Sequence, residues 1–101
     1  MNKLLDITVK KGHFTYILKC VDDTLYCGYT TDLESRVQKH NKGHGAKYTR
    51  GRTPVSLVYF EELPSRSLAL KREYAIKSLS KKEKELLITQ QFLDIEKGEE
   101  D

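Results

Sequence analysis

The chain has 101 residues, 38% hydrophobic and 33% charged, with 18 Lys+Arg against 15 Asp+Glu and a formal net charge of +3. That length supports one domain with a modest core and excludes a large barrel or a two-domain cleft. No apolar run nears the roughly 20 residues that a membrane span requires. The first residues lack the apolar stretch of a secretion signal. Two cysteines, Cys20 and Cys27, are too few for a disulfide framework. A cytoplasmic protein with reduced thiols is therefore expected.

Residues 1–12 read as a lead-in. From Phe14 the pattern has period two, with Phe14, Tyr16, Leu18 and Cys20 on one face and Thr15 and Lys19 on the other, Ile17 excepted. This predicts a strand. Asp22-Asp23-Thr24 is turn chemistry, and Leu25 to Thr30 is a second strand, so the two form a hairpin. A three-residue loop over Asp22 to Thr24 would place Tyr26 opposite Cys20 and put Tyr16 and Tyr26 on one face. Cys20 and Cys27 could then be neighbours, but nothing assigns them chemistry. Gly28 marks either a bulge or a place of close approach.

Thr31 and Glu34 form a capping box, with Asp32 adding an anion, so a helix follows from Asp32 to about Asn41 with Leu33 and Val37 inward. Lys42 to Pro54 is a long basic loop with three glycines, of a length that is usually functional or disordered. Val55 to Leu63 is the third strand, apolar enough to be the central one. Pro64-Ser65 opens a helix over Arg66 to Leu79. Ser80 and Glu83 cap a further helix to about Phe92, and residues 93–101 form an acidic tail expected to be disordered. The order β-β-α-β-α-α predicts an α/β (α+β) domain over residues 13–92, a small three-stranded antiparallel sheet flanked by helices.

The charge is unevenly spread. Residues 36–52 carry Arg36, Lys39, Lys42, Lys47, Arg50 and Arg52 and no acid, and residues 65–82 carry six cations against one acid, Glu73. Such blocks repel themselves unless an anionic partner offsets them. His44 and Tyr48, interleaved with the first block, suit phosphate contact or stacking. Nucleic acid or another polyphosphate is favoured over a merely solvated face.

Three positions break local patterns. Glu73 lies in the apolar stripe of Ala69, Leu70 and Ile76. A half-buried carboxylate needs a partner, either an ion pair with Arg36 or a neighbour, or a metal ion. Arg36 and His40, at i and i+4, share a helix face. They are either two polar surface residues or a guanidinium for phosphate beside an imidazole for proton transfer.

Together these residues resemble the GIY-YIG nuclease domain of intron homing endonucleases and of the bacterial excision-repair nuclease. Phe14-Thr15-Tyr16 is similar to its first motif and Tyr26-Cys27-Gly28 to its second, ten residues apart from tyrosine to tyrosine. The family's helix arginine falls on Arg36, its next-turn His or Tyr on His40, and its metal-binding glutamate on Glu73. The resemblance spans about residues 13–88. Gly45 to Arg50 and Arg66 to Lys71 resemble the small, single-domain bacterial branch. The first motif lacks its glycine and isoleucine, and no residue matches the family's late asparagine.

The resemblance implies metal-dependent hydrolysis of phosphodiesters in nucleic acid, DNA favoured over RNA. Glu73 would hold one Mg²⁺ or Mn²⁺, Tyr26 or Tyr16 would be the general base, and Arg36 would stabilise phosphate charge. His40 would assist proton transfer or bind phosphate, and Tyr48 would fill a further position. Lys39, Lys42, Lys47, Arg50, Arg52, Lys71 and Arg72 would hold the strand. No second DNA-binding domain is evident, which leaves targeting to a protein partner. The alternatives are a non-catalytic nucleic-acid-binding module of the same fold, and a protein-interaction domain that meets an acidic partner.

Overall fold

The computed structural model describes residues 11–99; the greater part of the predicted lead-in and the last two residues lie outside it. Three strands, β1 (His13–Lys19), β2 (Leu25–Thr30) and β3 (Ser56–Leu63), form one antiparallel sheet in the order β2-β1-β3. Helix α1 (Leu33–Asn41) follows β2, and α2 (Arg66–Lys77) and α3 (Lys81–Glu99) follow β3. The element order and antiparallel sheet are those the sequence predicts.

The central strand is β1, not β3. Five successive β1 residues, Phe14 to Leu18, are buried, so both faces of that strand are covered. One face packs Phe14, Tyr16, Leu18 and Cys20 against Leu33 and Val37 of α1 and Leu57 of β3. The other packs Ile17, Cys27 and Tyr59 against Ile76 of α2, with Leu87 and Ile88 of α3 alongside. Burial on both sides accounts for Ile17, the residue that broke the alternation. β3 is an edge strand, and Gln91 of α3 covers it by bonding the Phe60 N–H at 3.1 Å and C=O at 2.6 Å. That satisfies backbone groups that an open edge would expose.

The hairpin turns over Val21 to Asp23, one residue earlier than predicted. Cys20 N–H bonds Thr24 O, Asp23 N–H bonds Cys20 O, and Asp23 has a left-handed φ of 69°. The loop keeps three residues, so the parity holds: Tyr26 faces Leu18 rather than Cys20, and Tyr16 faces Gly28. Tyr16 and Tyr26 share a face, whereas Cys20 and Cys27 lie in the two different cores.

The N-cap of α1 is Asp32, whose carboxylate accepts from Ser35 N–H at 3.1 Å, so the helix begins one residue past the Thr31 box. Ser80 and Glu83 make the reciprocal box predicted, at 2.9 and 3.1 Å. α2 ends at Lys77 rather than Leu79, and α3 runs on past Phe92 to Glu99. Residues 93–99 are thus helical rather than a disordered tail.

α2 is held to the sheet by more than apolar contact. The buried Thr15 hydroxyl donates to Ala69 O at 2.6 Å, and Cys27 Sγ approaches Glu73 O at 3.8 Å one turn later. These two contacts fix where Glu73 sits relative to β2.

Gly28 has a steric role. A Cβ built there would stand 2.6 Å from Tyr16 Oη and 2.7 Å from Cζ. The Tyr16 ring therefore lies across its partner strand in space that only glycine leaves. Gly28→Ala is expected to destabilise the fold by roughly 1–3 kcal/mol, the usual cost of overpacking. Denaturant unfolding checks this, and an unchanged midpoint would show that the ring moves aside freely.

Candidate active site

Helix α1 puts Leu33, Val37 and His40 on its buried face, one turn apart each, so His40 reaches the sheet. It is 1% exposed, not a surface residue. Its Nε2 is 3.1 Å from Tyr16 Oη and its Nδ1 is 2.8 Å from Thr49 Oγ1. The Thr49 hydroxyl donates its one proton to Ala46 O at 2.9 Å. In a neutral imidazole all three contacts form together only if Nδ1 carries the proton and Nε2 accepts from the Tyr16 hydroxyl. One chain of hydrogen bonds thus runs from β1 through α1 to the short 3₁₀ turn Lys47–Thr49. The basic loop is anchored at its middle by a buried threonine. Gly45 passes so close to the imidazole that a side chain there would collide with His40.

That anchoring presents Tyr48. Its ring stacks on Tyr26 at 5.9 Å with 28° between planes, and the Arg52 guanidinium lies 4.4 Å above its centroid. Tyr26 is also 5.3 Å from His40 and 6.4 Å from Tyr16, ring to ring. Tyr16, Tyr26, His40 and Tyr48 therefore form one aromatic cluster.

Glu73 comes from α2, which packs on the opposite face of the sheet. Its side chain is 16% exposed, and its carboxylate accepts from Lys77 Nζ at 3.0 Å. The ion pair expected with Arg36 or a neighbour is made with Lys77. The charges nevertheless converge. Burial raises the Tyr26 phenol above its ordinary 10, Lys77 and Arg36 act to lower it, and Glu73 acts to raise it. Burial, then Tyr26, pushes Tyr16 much further up, while Arg36 opposes this and Glu73 adds to it. The Cys27 thiol beside this group is pushed up to about 11 by burial and by Glu73, so it is an inert core residue.

Of the cations expected to hold a strand, Lys39, Lys42, Lys47 and Arg50 are exposed around α1 and the loop, and Lys71 is exposed on α2. Arg52 is engaged, through Asp22 at 2.8 Å and over Tyr48. Arg72 is engaged too, its Nε and Nη2 both on Glu61 at 2.8 Å, with Tyr59 bonding the same carboxylate. Burial acts to raise Glu61, and the bonds from Arg72 and Tyr59 more than offset it, so that Glu61 titrates below its ordinary value. Arg72 thus ties α2 to β3.

Thr49 and Lys77 also belong to the site. Nothing in the sequence marks Thr49 as buried, because it is flanked by exposed polar residues. The spacing from Glu73 to Lys77 is an i,i+4 pair in the favourable order, and that signal was available.

A model of the GIY-YIG catalytic domain matches residues 12–86. The chain belongs to the GIY-YIG family. It is 58% identical over 76 residues to a UPF0213 protein of Natronomonas pharaonis, covering 75% of this chain and 89% of the relative. It is 54% identical over 77 residues to one of Staphylococcus aureus, covering 76% and 94%. The solution structure of a UPF0213 protein from Bacillus halodurans is similar at a TM-score of 0.51 and 49% identity, over 77% of this chain and 83% of that one. A protein of E. faecalis gives 0.56 and 44%, over 83% and 90%. Among the described residues no helix is long and apolar enough to cross a membrane.

The buried imidazole gives a pH signature. Burial, then Arg36, holds His40 below its ordinary 6.5. Below about that pH the unfolded chain binds a proton that the folded one refuses, so stability is full above it and falls toward the folded value. The carboxylates held low, such as Asp22 and Glu61, lose their contribution only at lower pH, as they protonate. His40→Gln is expected to be less stable at pH 7.5 and to lack this part of the decline between pH 7.5 and 5 in denaturant midpoints. An equal decline in both proteins would contradict a buried neutral His40.

Proposed function

We propose that the protein is a metal-dependent endonuclease that hydrolyses phosphodiester bonds in nucleic acid, with DNA the favoured substrate. The observation that carries this is the convergence on Tyr26 of an aromatic cluster from one sheet face and the half-buried Glu73 carboxylate from the other. A binding module gains nothing from a carboxylate beside phosphate-facing cations, because it repels the ligand.

The donor chemistry fits one hard divalent cation. The one carboxylate it would use is that of Glu73: no group of three or more His, Cys, Asp or Glu side chains gathers among the described residues, and an ion on Glu73 would displace the Lys77 ammonium now paired with it. A single protein carboxylate leaves open positions for water and phosphate, as Mg²⁺ or Mn²⁺ prefers. Glu73 would hold the ion, which would act as a Lewis acid on a phosphate oxygen.

The protein's own residues divide the remaining work. Tyr26 is half-buried rather than fully enclosed; burial and Glu73 hold its phenol above the ordinary value against Lys77 and Arg36. As the phenolate, which a cation on Glu73 would favour, it would take the proton of the attacking water. Tyr16 is 2% exposed and its hydroxyl is committed to His40, so it positions the cluster rather than acting as base. His40 has both nitrogens occupied inside the protein, so it orients Tyr16 and anchors the loop instead of touching phosphate. Arg36, half-buried on α1, stabilises the charge that develops on the phosphate. Tyr48 closes one side of Tyr26 against water. Lys39, Lys42, Lys47 and Arg50 hold the strand by its backbone, with affinity that falls steeply with salt.

Labelled DNA and RNA incubated with Mg²⁺, Mn²⁺ or EDTA test this. Wild type is expected to cleave only with metal. Glu73→Ala should lose at least about 100-fold in rate while binding persists, and Tyr26→Phe should lose roughly 100- to 10,000-fold. Salt-sensitive binding with no cleavage under any condition would replace this reading with the non-catalytic binding module.

A further inference from the structure

The outer face of α2 carries side chains, Arg66, Leu70 and Tyr74 among them, that the proposed chemistry does not use. Tyr74 is 76% exposed, the most exposed large hydrophobic side chain among the described residues. It borders a shallow groove lined by Arg66, Ser67, Leu70, Lys71 and Tyr74. Arg66, Leu70, Tyr74 and Lys77 are spaced by four, four and three residues, so they form one stripe along the helix. Lys71 flanks it. The one acid on α2, Glu73, has its carboxylate turned to Lys77 and largely covered.

This is an exposed surface rather than a core face. Cations at both ends and one flank suit a polyanion, and an exposed aromatic ring between them suits a flat π-system. The Arg66 guanidinium also lies 6.0 Å from the Tyr29 ring centroid, and Tyr29 stacks on His13 at 6.3 Å with 15° between planes, extending the aromatic surface from the sheet edge. From Arg66 to Lys77 the helix rises about 16 Å, roughly the span of five stacked nucleotides at about 3.4 Å each. The stripe ends at Lys77, the residue that holds Glu73.

We propose that the outer face of α2 is a track for a nucleic-acid strand with unpaired bases, in which a base stacks on Tyr74 and Arg66, Lys71 and Lys77 contact the neighbouring phosphates. The track leads the strand to Glu73. In a duplex the base faces are occupied by their neighbours, so Tyr74 gains nothing from double-stranded substrate. This rests on the nucleic-acid reading above and names the form of substrate that the site receives.

The test is the affinity of the full chain, in EDTA so that no cleavage intervenes, for a labelled single-stranded oligodeoxynucleotide and for a hairpin duplex of the same sequence. Tyr74→Ala is expected to weaken single-strand binding about 5- to 150-fold, the range of one lost base stack. Tyr74→Phe keeps the ring and should bind within twofold of wild type. Duplex affinity should change less than twofold in both. Arg66→Gln and Lys71→Gln should each lower the dependence of single-strand binding on salt by about 0.7. Wild-type affinity in Tyr74→Ala, or equal losses on single strand and duplex, would overturn the track. So would self-association of the wild type abolished by Tyr74→Ala with DNA binding unchanged, which would make the face a contact between copies. Tyr74-dependent single-strand binding by a protein that never cleaves would uphold the track and remove the nuclease reading alone. No binding to any nucleic acid would remove both.

Discussion

The buried hydrogen bond from Tyr16 to His40 is the constraint around which the site is arranged. It joins the central strand to α1, and through Thr49 it also joins the basic loop. Each partner occupies space that a glycine leaves open, Tyr16 across Gly28 and His40 against Gly45. An unpaired hydroxyl or imidazole in that position would cost about 1–3 kcal/mol. Burial and Arg36 hold the ring neutral, and the hydrogen bonds then fix its tautomer as well as its geometry. Tyr48 meets Tyr26 because the loop that carries it is tied down at the next residue.

The second constraint is that β2 is an edge strand of a thin sheet. α1 packs on one face and α2 on the other, and at the edge both can address the same residue. Tyr26 receives the aromatic cluster from one side and the field of Glu73 and Lys77 from the other. α2 is held in place by Thr15, Cys27 and the Arg72–Glu61 fork, not by apolar contact alone. Charged residues that look like ligand contacts in the sequence can thus serve to dock a helix.

Much of this was legible in the sequence. The element order followed from alternation, from capping residues such as Ser80 and Glu83, and from glycine and proline at the breaks. Glu73 stood out as an acid in an apolar stripe, and it is half-buried and paired. Other features depend on contacts distant in sequence. β3 reads as central because it is apolar, yet β1 is central because residues on both of its faces are covered by helices. Arg72 reads as a free cation, and only the fold brings Glu61 to it. His40 reads as a surface residue beside Arg36, and only the packing of α1 shows that it is enclosed. Thr49 carries no local signal at all, since its burial depends on where the loop folds back.

The state of His40 tests this arrangement most directly. Nitrogen-15 spectra that correlate the ring nitrogens with the ring carbon-bound protons distinguish the two neutral tautomers and the imidazolium. At neutral pH the imidazole should carry its proton on Nδ1, with Nε2 unprotonated and accepting from Tyr16. A lone proton on Nε2 would contradict the hydrogen-bond chain and the placement of Tyr48 that depends on it, and a charged ring at pH 7 would contradict the buried neutral imidazole.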